Sequence, residues 1–73
     1  MNSSPSKISL QVNGEVKTCE ARTLLPDFLA QVGLNPRLIA VEYNGEILAR
    51  PLWATTALQD SDRLEIVTIV GGG

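Results

Sequence analysis

The sequence predicts an α+β domain in which a mixed sheet of four to five strands packs on one α-helix. Three observations predict this class: strand-like alternation of polar and apolar residues, two Asn-Gly pairs that mark hairpins, and one apolar stretch at helical spacing. The chain has 73 residues, which corresponds to one small domain. One sheet and one helix can close a single core of this size.

The first predicted element is a hairpin. Residues 7–12 alternate polar and apolar, Asn13-Gly14 suits a type I′ turn, and residues 15–20 form the return strand. A strict two-residue turn places Val16 on the solvent side of the sheet, whereas hydrophobicity favours Val16 in the core. A bulge after the turn would reconcile the two, so both registers are open at this point.

A helix follows the hairpin. Thr23 is predicted to cap its first turn, Pro26 fits within that turn, and Asp27 places negative charge near the positive end of the helix dipole. Gly33 is expected to end the helix in a left-handed conformation. The apolar stripe of the helix consists of Leu25, Phe28, Leu29 and Val32.

The second half begins with another predicted hairpin. A strand over residues 38–43 leads into the turn Asn44-Gly45, and a short return strand over residues 46–48 stops before Pro51. These elements would extend the sheet on the far side of the helix crossover.

The last third of the chain contains a loop, a turn and a final strand. Residues 52–58 are predicted to be irregular with Trp53 as an anchor, and residues 60–62 form a turn. The final strand, residues 63–70, is the most continuously apolar segment. It is therefore expected in the middle of the sheet, covered on both sides for part of its length.

The predicted organisation has three parts. Residues 1–6 read as a disordered lead-in, residues 7–70 as the folded domain and residues 71–73 as a glycine tail. The lead-in lacks the pattern of a signal peptide, and no run approaches the length of a membrane span. A cytoplasmic protein, monomeric when alone, is the resulting expectation.

Composition argues against several classes of function. The net charge is −2 and the six basic residues are scattered, which disfavours nucleic-acid binding. Histidine is absent and Cys19 is the single cysteine, so the chain offers no Cys–His pair, zinc site or internal disulfide. Asp60 and Asp62 are better explained as turn residues than as metal ligands, and Glu65 as a solvent-facing strand residue. We therefore expect no catalytic residues, no bound metal and no bound cofactor.

The glycine tail is the remaining candidate. Gly71, Gly72 and Gly73 follow directly on the predicted central strand and would form a slim thread. Such a thread suits a carboxylate that must reach a nucleotide in another protein's cleft, so Gly73 with Gly72 is the predicted site of adenylation. A partner surface is expected beside the tail on the outward face of the strand, at Val67 and Ile69, and either Tyr43 or Ile39 extends it, depending on the register of the neighbouring strand.

The order of elements and several short stretches resemble the sulfur carrier proteins of thiamine biosynthesis (ThiS type), which have the ubiquitin-like β-grasp fold. The resemblance covers nearly the whole chain after the lead-in. One departure is Ser61, where the family usually has glycine. The matching stretches are residues 12–15, the helix start at 23–24, residues 41–46, Trp53, residues 58–67 and residues 70–73.

The resemblance implies a carrier cycle rather than an enzyme. An activating enzyme would use ATP to adenylate the carboxylate of Gly73, and sulfur from a persulfide donor would convert it to a thiocarboxylate. The thiocarboxylate would then supply sulfur to thiazole synthase. Two alternatives are the small subunit of molybdopterin synthase and a β-grasp binding module with an inert tail. The small subunit of molybdopterin synthase usually has a Phe-Pro-Pro stretch shortly before the glycines. This chain has Ile-Val-Thr-Ile-Val at residues 66–70 instead, which favours the thiamine branch.

Overall fold

The computed structural model describes residues 6–69, and these form one five-stranded mixed sheet with a helix against one face. The strand order is β2-β1-β5-β3-β4, and β1 and β5 are parallel while the other neighbours are antiparallel. The α+β class and the central position of the final strand are confirmed. The elements are β1 Lys7–Val12, β2 Glu15–Glu20, α1 Leu25–Gln31, a 3₁₀ turn Pro36–Leu38, β3 Ile39–Tyr43, β4 Glu46–Ile47, α2 Arg50–Trp53 and β5 Arg63–Thr68.

The first hairpin has the strict two-residue register. Val12 pairs with Glu15 and Ile8 with Cys19, and the turn residues Asn13 and Gly14 have φ angles of 52° and 84°. No bulge interrupts the pairing, and Val16 is 68% exposed. The turn chemistry therefore decides the register, and the hydrophobicity of Val16 does not.

The helix begins later and ends as predicted. Thr23 does not cap it: Leu24 occupies the N-cap position without a side-chain hydrogen bond, and the Thr23 hydroxyl donates to the Glu20 carbonyl instead. Pro26 does lie in the first turn. At the other end Gly33 has φ of 80°, and the amides of Gly33 and Leu34 bond back to the last helical turn. This pattern is a Schellman motif.

The loop after β4 contains a short helix, Arg50–Trp53, whose end overlaps the segment 52–58 that the sequence predicts to be irregular. Pro51 lies in the first turn of α2, where a missing amide hydrogen has little effect. Trp53 is buried as expected, and its indole donates to the Leu48 carbonyl at 2.8 Å. Arg50 lies over the Trp53 ring at 4.9 Å and donates to the Ile39 carbonyl at 3.0 Å, which ties this loop to the start of β3.

The core lies between the sheet and α1. Strand β5 buries only one of its faces: Leu64 and Ile66 point inward, whereas Glu65 and Val67 are exposed. The prediction that β5 is covered on both sides is therefore wrong, because α1 packs on a single face of the sheet. The buried apolar residues are Ile8, Leu10, Val12, Cys19, Leu25, Phe28, Leu29, Ile39, Val41, Trp53, Leu58, Leu64 and Ile66.

Candidate functional site

The structure positions the exit of β5, from which the glycine tail continues. Gly71, Gly72 and Gly73 lie outside the described residues, as do Val70 and residues 1–5. The adenylation site at Gly73 therefore stays a prediction. What the structure shows is the direction in which β5 delivers the chain, and the surface that surrounds this point.

Two of the predicted partner-contact residues lie on the outward face of β5. Val67 is 59% exposed and Ile69 is 44% exposed, and both alternate with the buried Leu64 and Ile66. The Ile69 amide still donates to the Leu38 carbonyl at 2.6 Å, so the chain remains attached to the sheet just before the tail. The expected exposure of these two side chains on the outward face is confirmed, and their role in partner contact stays a prediction.

The apolar surface continues across β3 to β4. Val67 pairs with Ala40, and Glu42 pairs with Ile47, so all four side chains lie on the same face of the sheet. Ile47 is 70% exposed and was not singled out from the sequence. We call Ile47, Ala40, Val67 and Ile69 the outer patch. The two-residue turn at Asn44-Gly45 would have predicted the position of Ile47, since it fixes the register of that hairpin.

Tyr43 does not extend the outer patch. It pairs with Leu64 across β3 and β5, which places it on the core-facing side of the sheet, at the end of β5 opposite the tail. Its hydroxyl donates to the carboxylate of Asp62 at 2.5 Å. Ile39, the other residue considered for an extension, is buried in the core. The expectation that Tyr43 lies beside Val67 is therefore wrong on geometric grounds.

Asp62 is the buried acceptor of a small polar cluster at the start of β5. Besides the Tyr43 hydroxyl, its carboxylate accepts from the Gln59 amide at 2.7 Å and from the Asn44 side-chain amide at 3.1 Å. The pKa of Tyr43 is raised to about 12, most of all by burial and further by the hydrogen bond to Asp62 and by the negative charge of that carboxylate. The cluster fixes the turn before β5, so its role is structural positioning.

The two hairpin asparagines hold β5 near its two ends. The Asn13 side chain accepts from the Ile66 amide at 2.7 Å and donates to the Ile66 carbonyl at 3.0 Å. The Asn44 side chain accepts from the Arg63 amide at 2.8 Å. Neither contact was foreseen, because Asn13 and Ile66 are 53 positions apart in the sequence. The sequence shows only that both asparagines suit the turns.

The described residues offer little for catalysis or ligand binding. Within residues 6–69 no group of three or more potential metal-ligating side chains comes together, and Cys19 is buried at 2% exposure. Surface pockets of about 200 and 300 Å³ are shallow and lie at or below the size of ordinary small-molecule sites. No helix in this part of the chain is long and apolar enough to cross a membrane.

Comparison with known proteins gives a consistent result. A model of the ThiS family matches residues 10–73. The chain is 38% identical over 65 residues to the sulfur carrier protein ThiS of Bacillus subtilis, covering 88% of this chain and 98% of that protein. It is also 38% identical over 66 residues to a thiazole synthase of Paramagnetospirillum magneticum; this match covers 90% of the chain but only 20% of the longer protein.

A solved structure supports the same assignment. The crystal structure of the thiamine biosynthesis protein ThiS from Geobacter metallireducens superimposes with a TM-score of 0.76 at 30% sequence identity. The superposition covers 90% of this chain and all of that one. The sheet order with one helix on one face is thus the β-grasp fold. Taken with the family match over residues 10–73, this similarity shows that the chain belongs to the ThiS family of sulfur carrier proteins.

Proposed function

We propose that this chain carries sulfur on the carboxylate of Gly73 for the formation of the thiazole of thiamine. The observation on which the proposal rests is the position of β5, which is paired on both sides within the sheet and is separated from the three glycines by only Ile69 and Val70. A rigid central strand fixes the point and direction from which the thread departs. The thread can then enter another protein's cleft while the body stays outside.

The chemistry requires activation because a free carboxylate has no suitable leaving group. A carboxylate oxygen of Gly73 attacks the α-phosphorus of ATP in an activating enzyme, pyrophosphate leaves, and an acyl adenylate forms. The terminal sulfur of a protein persulfide then attacks the acyl carbon and displaces AMP. A second thiol of the partner cleaves the resulting acyl disulfide, leaving a thiocarboxylate on Gly73 and a disulfide on the partner.

The sulfur chemistry is assigned to partner proteins because this chain has no accessible thiol to supply it. Cys19 is the single cysteine, and it lies in the core between β2 and α1. A buried thiol in apolar surroundings is inert. In this proposal the chain is a co-substrate, and no side chain of its own acts as a catalyst.

The outer patch is proposed as the surface that docks on the activating enzyme. Ordering three glycines costs about 1–2 kcal/mol of backbone entropy for each residue. Contact between folded surfaces must offset this cost, and Val67 and Ile69 are exposed apolar residues that shortly precede the tail in the chain. The core of a protein interface is more apolar than the rest of the surface, and burial of exposed apolar area there contributes favourable free energy.

The thiamine branch is supported by the relatives. Proteins named ThiS and thiazole synthase both match this chain over most of its length. In two proteins named thiazole synthase, about 20% of the sequence is similar to this chain. Thiazole synthase is accordingly the proposed acceptor of the sulfur from Gly73.

Exchange of labelled pyrophosphate into ATP tests the first step. With the cognate activating enzyme, exchange is expected to depend on the full chain and to vanish when Gly73 is deleted, while the circular dichroism spectrum stays unchanged. Exchange at the full rate without Gly73 would contradict the proposal. Addition of thiazole synthase or of a molybdopterin synthase large subunit then distinguishes the two branches by the product formed.

A further inference from the structure

The side chain of Asn13 extends the pairing of β1 with β5 beyond the end of β1. The backbone pairing between these strands ends at Val12 and Leu64. One step further along β5, the Asn13 carboxamide exchanges two hydrogen bonds with the backbone of Ile66, at 2.7 and 3.0 Å. The carboxamide donates through one N–H of its NH₂ group and accepts through its oxygen, so it takes the place of one backbone residue of a parallel neighbour.

Past Ile66, the pairings that hold β5 come from the other side of the sheet. Val67 pairs with Ala40 and Thr68 with Ile39, both on β3. Asn13 is therefore the last attachment of β5 on its β1 side within residues 6–69. Ile66, the residue that Asn13 holds, lies seven positions before Gly73. The equivalent asparagine of the second hairpin, Asn44, holds β5 at Arg63, the end away from the tail.

A small change in strand direction at this point is amplified at the tip of the tail. Gly73 is four positions after Ile69, and an extended chain of four residues spans up to about 14 Å. A rotation of about 10° at the exit would then displace the carboxylate by about 2.5 Å. Misplacement of a reacting group by about 1 Å can slow a reaction by two orders of magnitude.

We propose that Asn13 is a positioning residue for the reaction of Gly73: its side-chain amide fixes the direction in which β5 delivers the tail to the activating enzyme. This assignment rests on the function proposed above. Asn13 itself touches neither nucleotide nor reacting atoms. Asn13 is not part of the outer patch that would dock on the enzyme. Its effect should therefore appear in the turnover of the bound carrier and not in its binding.

The chain offers a matched pair of variants for the test. Asn13→Gly and Asn44→Gly each keep the positive φ of a type I′ turn, since Gly-Gly is a favoured sequence there. Each also keeps the backbone hydrogen bond from the turn to β5, at 2.9 Å for Asn13 and 2.8 Å for Asn44. Each loses two side-chain hydrogen bonds, and Asn44→Gly should lose the more stability because one of its bonds is to the Asp62 carboxylate, so it controls for a general effect of stability.

The measurements are steady-state adenylation with the carrier as varied substrate, and amide hydrogen exchange of the free carrier. For Asn13→Gly, kcat is expected to fall about 3- to 10-fold at an unchanged KM. For Asn44→Gly both constants should remain at the wild-type values. Exchange of the Ile66 amide should accelerate about 5- to 10-fold in Asn13→Gly only, and exchange of the Arg63 amide in Asn44→Gly only.

Several outcomes would overturn the assignment. Equal slowing of adenylation by both variants would show a general effect of stability, and an increase in KM alone for Asn13→Gly would show a docking role. Wild-type kinetics for Asn13→Gly, or unchanged Ile66 exchange, would refute it while leaving the carrier function intact. If the wild-type chain itself is not adenylated, the proposed function fails and this assignment fails with it.

Discussion

Replacement of Asp62 by asparagine tests whether the polar cluster fixes the turn before β5. One carboxylate oxygen accepts from the Tyr43 hydroxyl and the Gln59 amide, and the other from the Asn44 side chain. An amide at this position keeps one acceptor oxygen. Its best orientation preserves the first two hydrogen bonds in neutral form and leaves the Asn44 NH₂ facing another NH₂ group.

The expected loss of stability follows from these bonds. One hydrogen bond to a charged group is lost and two others lose their charge assistance, which amounts to about 2–4 kcal/mol before any correction. Relief of the desolvation of the buried carboxylate offsets part of this, so we expect a net loss of about 2 kcal/mol. For a domain of this size the melting temperature should fall by about 8–16 °C.

Two spectroscopic assays follow the Asp62→Asn variant. Urea unfolding monitored by the fluorescence of Trp53, the single tryptophan, measures the free energy of unfolding. Ultraviolet titration of Tyr43, the single tyrosine, measures its pKa. In the wild type that pKa is raised to about 12 by burial and then by Asp62. In the variant it should move toward 10 without reaching it, because the burial remains.

Asp60→Asn is the matched control. It removes the same charge two positions away, where the carboxylate is exposed and accepts from the Ser9 amide. An asparagine there can still accept that hydrogen bond, so stability should change by less than about 0.5 kcal/mol. The reasoning is refuted if Asp62→Asn is as stable as the wild type, or if the pKa of Tyr43 stays at about 12.

Three further predictions concern single positions. The pKa of Tyr43 is higher in the folded chain than in the unfolded one, so the stability that comes from its protonated form is fully present below pH 10. As the pH rises from 10 to 12, the free energy of unfolding should fall by about 1 kcal/mol, a small loss because solvent screens the half-buried phenol. Unfolding of Tyr43→Phe followed over the same pH range should lack this loss. Ser61→Gly should stabilise the chain by about 0.5–1 kcal/mol in urea unfolding, because Ser61 has φ of 73°; a destabilised variant would contradict this. Val67→Thr should raise the KM for adenylation about 5-fold. Val16→Thr is the control, because Val16 is similarly exposed on the same face of the sheet but lies on edge strand β2, and it should leave the KM unchanged. Equal effects of the two variants would argue against docking by the outer patch.

Local chemistry was sufficient to predict most of the fold. The Asn-Gly pairs fixed both hairpins, and the apolar stripe with Gly33 fixed the helix and its end. The errors arose where two local signals competed. Val16 is apolar but exposed, because the turn determines the register, and Thr23 bonds to Glu20 rather than capping the helix.

The candidate site was predictable in its apolar part and not in its polar part. Alternation along β5 correctly placed Val67 outward, although the continuous hydrophobicity of the strand suggested burial on both faces. The contacts of Asp62 and Asn13 join segments far apart in the sequence. Pattern analysis identified both as turn residues, but it has no means of showing which distant backbone groups their side chains bind.

The central claim is that the carboxylate of Gly73 carries the sulfur. It is tested most directly by intact-mass spectrometry after incubation with the activating enzyme, ATP and a persulfide donor, followed by fragmentation to locate the change. The expected result is a mass increase equal to the exchange of one oxygen for sulfur, confined to the C-terminal glycine and dependent on ATP. An unchanged mass with a competent activating enzyme, or sulfur located on Cys19 instead, would contradict it.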